Sequence, residues 1–346
     1  VKYAYFPGCS LESTAWDFDR SARAVCRALG IELEEIPDWV CCGSTPAHGT
    51  NPALAVALPV LNLQKAEAMG RPVLTACASC YARLRTANHQ VNSAPEERRR
   101  AEFVTGKPYG GQVAVHHLLD VLANHLGLEA IREKVKRPLT RLRVACYYGC
   151  LLTRPPEITA FDNPENPTAM DDLVAAAGGE PVRWPMKTEC CGAGLSITHG
   201  GVVARLGRRL VAMARRAGAD CISVACPLCQ LNLDLRQSGG AAGDEHLKGA
   251  TAGSSSSAQN TVGQANRGTR APLPPTPVLY VTQLLGLALG LSADDLGLSA
   301  LLVNADHLFA RSCCACGPSA HAGACQTPAH AGACQTPAHA GARGDA

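Results

Sequence analysis

Val73-Leu74-Thr75-Ala76-Cys77-Ala78-Ser79-Cys80 and Ile222-Ser223-Val224-Ala225-Cys226-Pro227-Leu228-Cys229 are one pattern written twice, 149 residues apart: a short apolar run, then Cys-x-x-Cys. Working outward, Cys41-Cys42-Gly43 recurs as Cys190-Cys191-Gly192 at the same offset of 149, and Gly8-Cys9 answers Gly149-Cys150 at 141. Each unit therefore reads Gly-Cys, then 31 or 39 residues, then Cys-Cys-Gly, then 33 residues, then Cys-x-x-Cys. The eight extra residues of the second copy are assigned to the Pro/Asn-rich stretch 161–167. A five-cysteine constellation repeated with an unchanged second gap indicates duplication of one module.

The cysteines stand at the ends of strand-like apolar segments, 1–6, 31–36 and 72–75, matched by 142–147, 180–185 and 222–225. Between them run helical patterns. Residues 15–29 place Ala22, Val25, Cys26 and Leu29 on one face, and 52–69 and 201–217 behave alike. Strands alternating with helices predict an α/β fold of two homologous βαβ-type cysteine-rich modules, with ligands gathered where strand C-termini meet helix N-termini. The expected modules are 1–138 and 139–309, each ending in a helix-like tract, 113–128 and 281–291. Residues 238–277, rich in Gly, Ser, Ala and Pro, read as a disordered insertion. Residues 310–346, with Ala-His-Ala-Gly-Ala-Cys-Gln-Thr-Pro repeated, read as a low-complexity tail unable to build a core.

Eighteen cysteines in 346 residues exceed what an ordinary core uses. The start of the chain, Val1 to Cys9, has no basic region followed by an apolar one, so signal-peptide-dependent export is not expected. The longest apolar stretch, 278–291, is interrupted by Thr282 and Gln283 and falls short of the ~18–20 residues of a membrane span. A reducing, cytoplasmic setting is expected, where clustered cysteines mean metal ligation or redox chemistry. The formal net charge of +3 comes from scattered basic residues, so no nucleic-acid partner is expected. Gly200-Gly201 lacks the spacing of a dinucleotide loop, and no flavin or nicotinamide site is assigned to the chain.

Soft thiolates select zinc, copper(I) or iron–sulfur clusters, and four complete a mononuclear site. Five is the wrong number for zinc. Adjacent cysteines suit one tetrahedral ion poorly, since neighbouring side chains diverge, whereas on a multi-iron cluster they reach different irons. The following Gly lets the backbone turn close to an inorganic core. A cluster is therefore favoured over zinc. Cys26 and Cys221 occupy no repeated position and read as buried core.

The two sets, Cys9/Cys41-Cys42-Gly43/Cys77-x-x-Cys80 and Cys150/Cys190-Cys191-Gly192/Cys226-x-x-Cys229, resemble the paired CCG domains in the B subunit of heterodisulfide reductase. The segments 145–156 and 282–291 add to the likeness, which runs from about Val1 to Phe309. The resemblance implies two noncubane [4Fe-4S] clusters, each held by five cysteines and facing one another across a disulfide-binding cleft. It implies partners as well, the iron–sulfur C subunit and the flavin A subunit of such a complex. A disulfide needs two electrons and a cluster hands over one, so two clusters facing one substrate match the reaction. Two alternatives remain open: a CCG-domain electron-transfer subunit of a lactate-, glycolate- or glycerol-phosphate-oxidising complex, and a non-catalytic zinc-stabilised scaffold.

Weaker candidates complete the reading. His48 and His199, each ahead of a predicted helix, are possible proton donors to a departing thiolate, with a surface or capping role the default. Arg154 and Lys187 are candidates for attracting an anionic substrate, and Tyr147 and Tyr148 for lining the cleft. Cys313-Cys314-Ala315-Cys316-Gly317 imitates the motif without partners, and His321, Cys325, His330 and Cys334 sit in the solvated repeat, so no ligand role is expected there.

Overall fold

A computed structural model of the protein describes residues 1–44, 46–237 and 275–310, the side chains of Pro46, His48 and Ala310 left aside. Two all-parallel sheets carry the architecture. The first joins β1 (Lys2–Tyr5), β2 (Glu32–Glu35), β3 (Val73–Thr75) and β4 (Val115–His117) in the order β2-β1-β3-β4. The second joins β5 (Arg143–Tyr147), β6 (Glu180–Pro181), β7 (Cys221–Val224) and β8 (Val278–Tyr280) in the order β6-β5-β7-β8. The duplicated α/β architecture expected from the cysteine repeat is thus present down to strand order.

The inner strands are apolar because helices cover both of their faces, which removes the alternation of a half-exposed strand. Ala4, Tyr5, Val73, Leu74, Val144 to Tyr147 and Cys221 to Val224 are all buried. The outer β2 carries Glu32, Glu34 and Glu35, and Lys2 on β1 bridges Glu32 and Glu34 at 3.7 and 3.1 Å. Charge on an edge strand discourages further strand addition.

The tract at the end of the first module differs from the sequence expectation. Residues 113–128 were expected to be helical throughout, yet Val115–His117 pairs with β3, from Val73↔Val115 to Thr75↔His117. A short helical turn (Leu118–Asp120), a π-helical stretch (Val121–Gly127) and a further turn (Leu128–Arg132) follow. At Val115–His117 the open edge of a parallel sheet, with its unpaired N–H and C=O groups, outweighs local helical pattern. The tract expected over 281–291 is helical as Val281–Ala288, and the unforeseen strand β8 directly precedes it. Residues 275–277, expected within the insertion, are an ordered lead-in to β8: Gln237 accepts from Thr276 N at 2.8 Å and donates to Thr276 O at 2.7 Å. The remaining insertion, 238–274, and the tail from 311 lie outside the described residues.

The modules exchange helices. Trp16–Leu29, the first crossover of module one, packs against Val281–Ala288 from module two, while Ala169–Ala176 packs against 121–132. The Phe18 and Tyr280 rings stack with centroids 4.0 Å apart and planes 4° apart. Beside them Ser21 Oγ and Thr282 Oγ1 are 2.7 Å apart, and Gln283 Nε2 donates to Asp17 Oδ2 at 3.3 Å.

Burial pushes the Asp17 carboxyl up to about 6, against the opposing hydrogen bonds from Phe18 N and Gln283. Because the folded value lies above that of the unfolded chain, the folded state holds its proton more tightly, and stability falls as pH rises from about 4 through 6. Asp17→Asn keeps the acceptor and removes the charge. It is expected to stabilise the protein by on the order of 1–2 kcal/mol at pH 8, the gain shrinking toward pH 4. Urea melts of both proteins across that range check this; a constant difference would remove the titration from the account.

Candidate metal centre

In each sheet the chain leaves an inner strand, adds a strand on one side, and returns to the other side of its starting strand. The carboxyl ends of the two inner strands then flank a switch point, where a parallel sheet opens a crevice. Cys9 follows β1 and Cys77 follows β3; Cys150 follows β5 and Cys226 follows β7. Cys77 is the residue before helix Ala78–Ser93, and Cys226 the residue before helix Pro227–Leu235. Their sulfurs sit at positive helix ends, which favour thiolate. Cys80 and Cys229 lie three residues on, one helical turn along the same face. The Cys-Cys-Gly loops after β2 and β6 close each set.

The sulfurs of Cys9 and Cys41 are 4.0 Å apart and those of Cys42 and Cys80 are 3.5 Å apart. In the second set Cys191 and Cys229 are 3.5 Å apart, Cys150 and Cys190 hydrogen-bond one another, and Gly192 N donates to Cys190 Sγ at 3.3 Å. The two sets adjoin, since Cys77 and Cys226 are close enough for each to shift the other's thiol, Cys77 upward and Cys226 downward. Burial repeats with the sequence. Cys41 and Cys190 are exposed at the mouths, with Cys9 exposed and Cys150 half-buried beside them, while Cys42, Cys77, Cys80, Cys191, Cys226 and Cys229 are buried.

These sets fit an iron–sulfur cluster better than a single ion. A tetrahedral zinc at ~2.3 Å from each sulfur would hold all four within about 3.8 Å of one another. Among the described residues, the only grouping of three or more such ligands within 4.8 Å of one another is His116, Asp120 and His125, outside both sets. The thiols instead form a run of neighbours, Cys41 by Cys42, Cys42 by Cys80 and Cys80 by Cys77. Gly8 and Gly149 bring the backbone against the sulfurs with φ of +74° and +70°; a Cβ on Gly8 would stand 2.7 Å from Cys80 Sγ, and on Gly149 3.2 Å from Cys229 Sγ.

Crowded thiols share protons unequally. Hydrogen bonds from Cys41 and Cys80 hold Cys42 below the usual thiol range, and one from Cys229 lowers Cys191. A hydrogen bond to Cys190, then burial, pushes Cys150 up. Such sets release protons when metal binds. By contrast, burial pushes Cys26 up to about 12 and drives Cys221 and Cys146 upward too; all three are inert core residues.

The weaker candidates scatter. His199 is exposed at the start of helix Gly200–Arg216, its ring 2.9 Å from Thr198 Oγ1. His48 falls in the helical turn Pro46–Thr50, its side chain outside the described residues, as are Cys313, Cys314, Cys316 and the tail repeat. Lys187 is buried and committed to Asp171 Oδ1 and Pro167 O, each at 2.9 Å. Tyr147 and Tyr148 are buried, donating to Glu189 O and Asp171 Oδ2, both at 2.6 Å. Arg154 shares with Cys150 the lining of a 410 Å³ cavity, and its guanidinium bonds both carboxylate oxygens of Glu165 at 3.1 Å.

Sequence reasoning missed three neighbours of the thiols. Arg83 places its charge near Cys42, and Asn232 Nδ2 approaches Cys191 Sγ at 3.7 Å. These two are repeat counterparts, three residues after Cys80 and Cys229, and that helical spacing was the available signal. His117 is buried between Tyr81 and Phe161, bonds Ala76 O at 2.9 Å and accepts from Leu119 N at 3.1 Å. Burial above all lowers its imidazole to about 4, so it is neutral at physiological pH.

Comparison with known proteins agrees with this geometry. The cysteine-rich domain family CCG matches residues 3–85 and 144–234. The chain is 32% identical over 307 residues to the B subunit of the ferredoxin/F(420)H(2)-dependent CoB-CoM heterodisulfide reductase of Methanosarcina acetivorans, covering 86% of this chain and 92% of that one. It is also 32% identical over 308 residues to the 8-methylmenaquinol:fumarate reductase membrane anchor subunit of Wolinella succinogenes, covering 89% and 99%. A third relative, a protein of Archaeoglobus profundus described as like the B subunit of heterodisulfide reductase, is 32% identical over 248 residues, 68% and 82% of the two chains. Among solved structures, a hypothetical protein from Helicobacter pylori shares the fold, with a TM-score of 0.61, 13% identity, and coverage of 88% of this chain but 52% of its own. No helix among the described residues is long and apolar enough to cross a membrane. With both cysteine-rich domains matched and a third of residues identical over most of its length, the chain belongs to the iron–sulfur family of the heterodisulfide reductase B subunit, whose relatives are subunits of larger reductases.

Proposed function

We propose that this chain is the disulfide-reducing subunit of a heterodisulfide-reductase-like complex, with Cys9, Cys41, Cys42, Cys77 and Cys80 holding one noncubane [4Fe-4S] cluster and Cys150, Cys190, Cys191, Cys226 and Cys229 a second. The observation that carries this is the adjacency of two equivalent five-thiol sets, joined through Cys77 and Cys226, each with exposed cysteines at its mouth. When bound, each cluster supplies one electron at a time, so two together match a two-electron reduction. The overall change is RS–SR′ plus two electrons and two protons giving RSH and R′SH. Cys41 and Cys190, at the exposed edges, are where a disulfide gains access; the buried thiols and the neutral His117 keep water from the far side. Arg83 and the helix ends at Cys77 and Cys226 offset the negative charge of ten thiolates. In the cavity beside Cys150, Arg154 is paired with Glu165, and an anionic substrate group would have to displace that carboxylate to reach it. Electrons arrive from an iron–sulfur C subunit fed by a flavin A subunit, in a reducing, cytoplasmic setting that suits thirteen described cysteines all left as free thiols.

A second reading, an electron-transfer subunit passing electrons without touching a disulfide, is favoured by the likeness to the menaquinol:fumarate reductase subunit. Anaerobic assays with a reduced viologen dye and a panel of disulfides, CoM-S-S-CoB among them, separate the two. The reductase reading expects two thiols per two electrons consumed. A chain that oxidises the dye through a partner acceptor but cleaves no disulfide would support the second.

A further inference from the structure

On the strand face opposite His117, three side chains that the thiol chemistry leaves unused converge. His116 lies on β4, Asp120 closes the helical turn that follows, and His125 lies in the π-helical stretch. Nδ1 of His116 and Nε2 of His125 stand 3.4 and 3.6 Å from the same oxygen, Oδ2 of Asp120. The three donor atoms lie within 4.8 Å of one another, and the two imidazoles meet edge to face with centroids 4.4 Å apart. The local winding produces this. Residues five apart on an α-helix diverge by about 140° around the axis, whereas the i→i+5 closure of a π turn stacks them, bringing His125 over Asp120.

The atoms not facing the centre are held by neighbours. Asn124 Nδ2 donates to Asp120 Oδ1 at 2.8 Å, which leaves Oδ2 turned toward the imidazoles. Nδ1 of His125 is 3.3 Å from the Tyr3 hydroxyl on β1, a partner that can accept from Nδ1–H when Nε2 binds a cation. Burial works to raise the Asp120 carboxyl, but hydrogen bonds from His116 and Asn124 and the nearby His125 overcome it and hold it below the ordinary carboxylate range. His125 is 38% exposed, so the centre is reachable from solvent. The counterpart positions of module two, aligned through His117 and Tyr280, are Leu279, Gln283 and Ala288, all buried, so the arrangement belongs to module one alone.

We propose that His116 Nδ1, Asp120 Oδ2 and His125 Nε2 form a binding site for a borderline divalent transition-metal cation, with Zn²⁺ the natural probe and solvent completing the coordination. Two imidazoles and a carboxylate suit Zn²⁺ and its neighbours, and three protein ligands leave a position open. The bound ion ties the π-helical stretch to β4 and, through Tyr3, to β1. None of the ten cysteines takes part, so the site stands whatever the cysteine sets hold.

The test uses full-length protein purified anaerobically with its native iron and dialysed against micromolar Zn²⁺. Wild type is expected to bind one zinc more per chain than either His125→Gln or His116→Gln, with iron content unchanged in all three. Zinc-edge X-ray absorption of that extra ion should show nitrogen and oxygen neighbours at about 2.0–2.1 Å and no sulfur at ~2.3 Å. Zinc should also raise the melting temperature of wild type and of neither variant. Equal zinc in wild type and variants, or a sulfur shell around the extra ion, overturns the proposal.

Discussion

Cys41→Ser and Cys190→Ser are each expected to cut disulfide reduction by roughly a hundredfold or more, and the double variant to be no worse than either. Each substitution replaces a soft thiolate at the mouth of one set with a hard hydroxyl that binds iron poorly. If both clusters must engage one disulfide, either loss stops the two-electron cleavage, and groups that act as a unit show strongly non-additive effects. The assay needs excess reduced donor, so that electron supply does not limit the rate. A single variant that keeps about half the wild-type rate would mean independent or sequential relays, and the electron-transfer reading would replace the reductase.

The second large effect comes from a residue that binds nothing. Gly8→Ala is expected to lose about half of the iron, that of module one, while module two keeps its share. Two costs combine. The backbone at Gly8 has φ of +74°, where an L side chain costs about 1–2 kcal/mol. The added Cβ then meets Cys80 Sγ at 2.7 Å and Phe6 Cε1 at 3.6 Å, and a sulfur fixed on a cluster cannot retreat. Gly30→Ala separates the two costs, because Gly30 has φ of +80° but nothing within 4 Å of the added carbon. It should lower the melting temperature and retain full iron. Full iron in Gly8→Ala would show that the space between Gly8 and Cys80 is not where the cofactor sits.

Much of this was legible in the sequence because thiol ligation imposes fixed spacings. All five positions of one set recur in the other, and the strands that end at Cys9, Cys77, Cys150 and Cys226 are apolar runs bounded by those cysteines. What the sequence hid had physical reasons. Val115-His116-His117 is too short and too polar to announce a strand, and the three residues Val278-Leu279-Tyr280, running without a break into an apolar helix, are too few for periodicity to mark as a strand. The exchange of helices rests on contacts such as Phe18 with Tyr280, between residues whose separation along the chain gives no local signal. The π-helical stretch after Asp120, which packs against helix Ala169–Ala176, has no composition that marks it in the sequence. Arg83 and Asn232 stood at matched repeat positions but differ in chemistry, which masked their shared location.

The central claim is that each five-cysteine set carries a four-iron cluster, and quantifying iron, acid-labile sulfide and zinc in anaerobically purified wild-type protein tests it most directly. About eight irons per chain with matching sulfide are expected. One or two zinc ions bound by sulfur, with no iron, would contradict it.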